Sequence, residues 1–381
     1  MNSIQPTDTG SGPWEPGAEA GNQPFRNLSV VVPIGFVYRP AGILRRLRRL
    51  IDSRLFDGAE LIVSVAVRNR FGDRLFSSLA RRISKACRVI FVEESGAEIS
   101  IARLRHEGAR AASRDLLLFY DVDLICSQSV VEKAITYLKG NRNPFVIIPS
   151  IYTRKKALSA GVSAGDGPVD QVWKGLLAKR RYDLIYHVAM YTSTILIERS
   201  KYFQSGGFDP NFSSHGLEDL EYICRLCIRE KVFELSDVEE FLKDGKAVSP
   251  LFTEGFRKYL NIITIPVWLE GIFTVHLWHS RPKRTRYFKE RKRNYGIFSS
   301  NIKEEYYKNL SREEKYQFKR EYLESYYESP LAEIEKILNS YGEKLANQGV
   351  LFLDNPADLY RNRIERFVID VLRRLDKKVS D

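Results

Sequence analysis

The feature that most constrains the fold of this chain is an alternation of short apolar runs and helical stretches over its first third. Leu28-Ser29-Val30-Val31-Val32-Pro33 is β-branched and ends at a proline, which reads as a strand. Leu44, Leu47, Leu50 and Ile51 recur at helical spacing and predict a helix across Ala41 to Ser53. The pattern repeats with a strand over Glu60 to Val67, a helix near Asp73 to Lys85, a strand over Arg88 to Val92 and a helix from Ile101 to Ala112. The next apolar run, Leu116 to Tyr120, closes on Asp121-Val122-Asp123. Such alternation predicts an α/β fold, a mostly parallel Rossmann-like sheet flanked by helices. Ligands in these sheets bind beyond the carboxyl ends of the strands. The strand ending at Asp121 carries two carboxylates at such an end.

Beyond Asp123 the pattern is mixed. Strands are expected over Pro144 to Ile151, Tyr191 to Glu198 and Gly271 to Val275, with a mobile Gly- and Ala-rich loop over residues 157–170. Residues 1–24 are rich in Gly, Pro, Ser, Thr and Glu and read as a disordered leader. From Arg281 the composition turns basic and Tyr-rich, beginning with Arg281, Lys283, Arg284, Arg286, Lys289, Arg291, Lys292 and Arg293. The division is therefore a 1–24 leader, a 25–280 α/β domain and a 281–381 helical extension.

With 381 residues, 44% of them hydrophobic, the chain has enough apolar material for a large core. A net charge of +12 favours acidic partners such as phosphorylated donors, polyanionic glycans, nucleic acid or an anionic membrane. The predicted first helix carries Arg45, Arg46, Arg48 and Arg49, a run that reads as a solvated face. Cys224 and Cys227 are the only closely spaced pair among four cysteines, short of the roughly four ligands of a zinc site. Sparse cysteine points to a reducing compartment. No apolar run reaches the roughly 20 residues of a membrane helix, and no secretory signal is visible. The expected location is the cytoplasm, with peripheral contact at the inner membrane as an option.

Two carboxylates at a strand end call for a cation or for water. A divalent metal carrying a phosphorylated ligand supplies that cation. An isolated Asp-x-Asp is also what a solvated turn looks like, so its meaning depends on its companions. Three stand out: Arg105-His106-Glu107-Gly108 on the preceding helix, Gly206-Gly207-Phe208-Asp209 followed by Gly216-Leu217-Glu218-Asp219, and His276-Leu277-Trp278-His279.

In this order, over residues 28–280, the segments resemble nucleotide-sugar glycosyltransferases of the GT-A fold. They are most similar to the family 2 enzymes and their β-1,4-galactosyltransferase and chondroitin-polymerase relatives. The resemblance implies a metal-dependent inverting transfer of a hexose or N-acetylhexosamine from a UDP-sugar to a glycan or lipid-linked glycan acceptor. Bacterial surface polysaccharide, capsule or lipopolysaccharide, is the implied product. It further implies donor contacts from Pro33, Arg39, Arg105, Asp121 and Asp123, and acceptor contacts from Gly207, Phe208 and Asp209. Asp219 is implied as the base and Glu218 as a hydroxyl contact, with the two roles exchangeable. Mn²⁺ or Mg²⁺ is implied at Asp123, with Asp121 acting through water or on the ribose, and His276 or His279 as a further ligand.

Departures from the pattern are present as well. No acidic residue follows the second strand, His106 stands where Asn is usual, and Leu217 replaces Trp or Gly. A nucleotidyltransferase carries a Gly-rich phosphate loop that Pro33 to Arg39 lacks. Neither a zinc finger nor an RNA-binding signature supports nucleic acid as partner. A non-catalytic glycan- or nucleic-acid-binding protein on a GT-A-like scaffold is the competing reading.

Overall fold

The computed structural model describes residues 24–309 apart from 37–38, 69–70, 84–86, 95–97, 141–143, 160–167, 215, 234, 236, 244–253 and 281–290. The expected leader, save Pro24, and most of the basic extension lie outside the described residues. The chain begins with β1 (Leu28–Ile34), α1 (Pro40–Asp52), β2 (Glu60–Val67), α2 (Phe71–Ile83), β3 (Arg88–Glu93), α3 (Ile101–Ala111) and β4 (Leu116–Phe119). These elements follow the expected alternation to within about two residues at each end, the usual uncertainty of a boundary. β4 stops before Tyr120, so the two aspartates stand just past the strand rather than at its last residue.

The remainder comprises β5 (Leu124–Ile125), α4 (Gln128–Gly140), β6 (Phe145–Ile147), β7 (Ser150–Thr153), α5 (Lys155–Ser159), α6 (Val169–Ala178), β8 (Ile185–Ala189) and β9 (Ile195–Glu198). It ends with α7 (Arg199–Gln204), α8 (Glu218–Arg229), α9 (Val238–Phe241), α10 (Phe256–Leu269), β10 (Thr274–His276) and α11 (Arg291–Asn309). The single strand expected over Pro144 to Ile151 is thus two, parted at Ile148-Pro149. Proline cannot donate to a ladder, and here the chain changes sheets. The expected loop over 157–170 is narrowed by α5 and α6, with 160–167 outside the described residues. Strand structure over Tyr191 to Glu198 is confined to β9, and that over Gly271 to Val275 to β10.

Six strands form one sheet in the order β3-β2-β1-β4-β9-β6. The first four are mutually parallel, and β9 enters antiparallel between β4 and β6. A second sheet has the order β5-β10-β7-β8. α3 packs on β1 and β2 through Gly108, where an added Cβ would lie 2.3 Å from a Val31 side-chain carbon and 2.5 Å from Ser64 Oγ. Only glycine lets the helix come this close. α11 packs on α8, with Phe298, Ile302 and Tyr306 in the same apolar cluster as Ile223 and Leu226. No helix of the described residues is long and apolar enough to cross a membrane.

What positions the site is the passage between the sheets. The chain leaves the first sheet after Phe119 and enters the second at Leu124. Asp121 and Asp123 lie on that crossing. β10 pairs antiparallel with β5, placing His276 opposite Leu124, and the Leu277 N–H donates to the Asp123 carbonyl at 2.9 Å.

Candidate active site

Residues two apart in an extended strand point to the same face, but the chain turns at Val122-Asp123 and the crossing sends the two aspartates to different partners. Asp121, with 34% of its side chain exposed, accepts from Arg105 Nη2 at 3.1 Å and from Ser193 Oγ at 3.0 Å. Asp123, 9% exposed, accepts from both Arg39 and Arg46 and lies 3.5 Å from His279 Nε2. Burial pushes the Asp123 carboxyl upward. The Arg39 hydrogen bond, with the charges of His276, Arg39 and Arg46, outweighs this and holds it well below the usual carboxylate range.

The helix of the Arg105 motif is anchored by Ser100, whose side chain accepts from the Arg103 N–H and donates to the Phe212 carbonyl. Arg105 itself is 3% exposed, its guanidinium shared between Asp121 and Glu218 Oε1, the latter at 3.3 Å. Burial alone lowers the pKa of a guanidinium, but the charges of Asp121, Glu218 and Asp219 raise that of Arg105 above its ordinary value. Arg105, expected as a contact to the donor diphosphate or sugar, is buried as the bridge between two acidic residues. A buried cation needs such partners.

Glu218 and Asp219 open α8, following Leu217 in the left-handed conformation with φ 76°. Acidic residues in a first turn favour the helix dipole. Burial first, and then the neighbouring charge of Asp219, push Glu218 up to about 7 against the opposing pull of Arg105. The Glu218 carboxyl therefore takes up a proton near neutrality.

The Gly206–Asp209 segment supports this arrangement from beneath. At Gly207, with φ 63°, a Cβ would lie 2.7 Å from the Tyr202 hydroxyl and 2.9 Å from His106 Nδ1. Phe208 is fully buried, with the Arg105 guanidinium 5.3 Å above its ring. Its side chain carries Arg105 rather than meeting an acceptor, which corrects the role expected for it. Asp209 accepts from the Asn211 N–H and from the Asn301 amide of α11. Arg225, paired with the buried Glu221, donates to the Ser205 and Gly207 carbonyls and ties this turn to α8. Asn294 of α11 donates to the Ser213 and Gly216 carbonyls, bracing the approach to Glu218.

Among the described residues, Asp123, His276 and His279 bring one ligand atom each to within 4.8 Å of one another. One carboxylate and two imidazoles make a donor set that suits Mn²⁺ better than Mg²⁺. The residues present fit such an ion. Asp121, expected as a further ligand, turns away from this triad toward Arg105 and Ser193. His276 is stacked on Tyr152 at 4.2 Å, which in turn stacks on His187 at 4.4 Å. These three are register partners across β10, β7 and β8, so the column fixes the plane of the imidazole.

Pro33 lies buried inside β1 opposite Ser64 of β2, taking its place in the sheet. Arg39 precedes α1 with φ 53° and reaches Asp123 from there. Sequence reasoning missed Arg46 and Ser193. The arginine run on α1 is not uniformly solvated: Arg45 and Arg48 are exposed, while Arg46 turns to Asp123 and Arg49 toward the Leu124 carbonyl. The signal was the helical period, because positions 46 and 49 share a side with the buried 43, 47 and 50.

Residues 29–304 match the family described as glycosyltransferase like family 2. The chain belongs to that family. Among solved structures, the chain is similar to TarS of S. aureus, residues 1–349 in complex with UDP. That likeness is 12% in identity with a TM-score of 0.35, over 53% of this chain and 55% of that one. The mannosyltransferase PcManGT of Pyrobaculum calidifontis, in complex with GDP-Man and Mn²⁺, is 10% identical with a TM-score of 0.34, over 84% of this chain and 86% of that one. The chain thus spans about half the length of the TarS fragment. No curated relative matches the sequence.

Proposed function

We propose that this family 2 chain is a metal-dependent inverting glycosyltransferase that moves a hexose or N-acetylhexosamine from a UDP-sugar to a hydroxyl of a glycan or lipid-linked glycan. The observation that carries this reading is the convergence of a metal-fitting triad and an acidic pair on one Asp-x-Asp crossing, joined through Arg105. Asp123, His276 and His279 would hold Mn²⁺ or Mg²⁺. Such an ion supplies Lewis-acid stabilisation of the charge that develops on a departing diphosphate. Arg39 adds positive charge on the donor side. Asp121, fixed by Arg105 and Ser193, orients the donor's ribose or sugar.

Inversion requires a base that takes the acceptor's proton as its oxygen attacks the anomeric carbon. Asp219 is that base, and Glu218 holds the acceptor hydroxyl or stores the proton. Glu218, whose proton affinity burial and the Asp219 charge raise toward neutrality, suits the storing of that proton. The product class that fits is a bacterial surface polysaccharide. The reading of this fold as a non-catalytic binding module has no observation of its own in its favour.

The direct test is a screen of UDP- and GDP-linked sugars for donor hydrolysis and transfer, with Mn²⁺, with Mg²⁺ and with chelator. Release of UDP that depends on the metal is expected. Donor binding without turnover under all metal conditions would sink the enzymatic reading.

A further inference from the structure

Asp123 meets two guanidiniums that are held in different ways. Arg46 comes from the body of α1. Besides Asp123 Oδ1, it donates to the Leu277 carbonyl at 3.3 Å and to the Trp278 carbonyl at 2.6 Å. Two of its three acceptors are backbone atoms of the segment that carries His276 and His279, so it is tied to that segment as well as to the carboxylate. Arg39 has a different hold. It sits before the helix, and its guanidinium spans the carboxylate, with Nη1 on Oδ1 at 3.0 Å and Nη2 on Oδ2. Oδ2 is also the oxygen that faces His279 Nε2. Arg39 therefore lies on the oxygen best placed to join the imidazoles around a cation.

Charge sharpens the point. One carboxylate accepts from two guanidiniums, and their positive charge opposes the approach of a bare divalent ion. A diphosphate reverses that balance, and the planar fork of arginine matches phosphate oxygens as well as it matches a carboxylate. Resting on the donor site proposed above, we propose that Arg39 is an exchangeable counter-cation. In the ligand-free protein it covers Asp123 Oδ2. When donor binds it moves to the diphosphate and opens that oxygen to the metal, while Arg46 remains on Oδ1. Metal and nucleoside diphosphate then bind cooperatively, because each favours the state in which Arg39 has left Asp123.

The experiment titrates Mn²⁺ into the full chain, following the electron paramagnetic resonance of the free ion, with and without UDP or GDP. Wild type, Arg39→Met and Arg46→Met are compared, with circular dichroism as the check on folding. In wild type the nucleotide tightens Mn²⁺ by about tenfold or more. Arg39→Met binds Mn²⁺ alone about tenfold more tightly than wild type, and its nucleotide-induced gain shrinks by a similar factor. Arg46→Met retains most of that gain. Arg39→Lys, which keeps the charge but cannot span both oxygens, falls between wild type and Arg39→Met and carries the same test should the methionine variant not fold. A folded Arg39 variant that binds Mn²⁺ alone no more tightly than wild type, or that keeps the full nucleotide gain, overturns the proposal. A wild-type protein that binds neither Mn²⁺ nor nucleotide overturns the donor-site reading instead.

Discussion

Two carboxylates only two residues apart live in different worlds in this protein. Asp123 is nearly buried, gripped by two guanidiniums and close to two imidazoles. Asp121 is a third exposed and is held by one guanidinium and one hydroxyl. The first belongs to a cluster built by α1 and the segment after β10, the second to one built by α3, α8 and the loop before β9. Charge balance explains the division of labour. In the proposed function the Asp123 side, where two guanidiniums flank one carboxylate, receives the anionic donor with its metal. Around Arg105, three acidic residues share one cation, and burial together with the Asp219 charge raises the proton affinity of Glu218. The proposed reaction, which must both stabilise a leaving diphosphate and accept a proton, gains from keeping these two balances apart.

Breaking the metal side should have the largest effect. Asp123→Ala is expected to reduce transfer to background while the protein still folds, measured as product formed at saturating Mn²⁺. Full activity in this variant would remove Asp123 from the site. On the other side, Asp219→Asn should lower turnover by about 10²- to 10⁴-fold with donor affinity retained. If donor binding collapses along with turnover, Asp219 is more than a base, and the two sides are less separate than their geometry suggests.

A smaller effect sharpens the charge argument. Glu218 has a raised folded pKa, so its ionisation costs stability as pH rises from its ordinary 4.5 toward about 7. Glu218→Gln removes that cost. The melting temperature of the variant relative to wild type should therefore rise across this window and level off above it. A flat difference across the window would mean that Glu218 is not held in the environment described. The smallest change is expected from Ser193→Ala, which removes one hydrogen bond to Asp121 of about 1 kcal/mol. A severalfold loss in kcat/KM with unchanged Mn²⁺ affinity would assign Ser193 to the Asp121 side alone, and a loss of Mn²⁺ affinity would contradict that assignment.

Much of the scaffold was legible in the sequence. The alternation through β4, the position of the Asp pair beyond a strand and the closing histidines all follow from local pattern. Gly108 was marked by its motif, and its cause is the contact with Val31 and Ser64. Other features were not legible. The arginines of α1 read as a solvated face, although two of the four turn inward. Phe208 read as an acceptor contact and is a buried support. The strand over Pro144 to Ile151 divides between two sheets, a choice that depends on which edges stand open to receive it.

The sequence by itself determined the periodicities, because burial of one face depends on spacing between near neighbours. It determined that carboxylates, imidazoles and arginines were available for a site. Only the tertiary structure decided which charge meets which. Arg46 reaches carbonyls 231 and 232 residues away, Arg105 finds Glu218 at a separation of 113, and the pairing of β5 with β10 delivers His276 to Asp123. Buried charges are costly until partnered. Where the partners lie far apart in the chain, no local pattern records them, and packing alone brings them together.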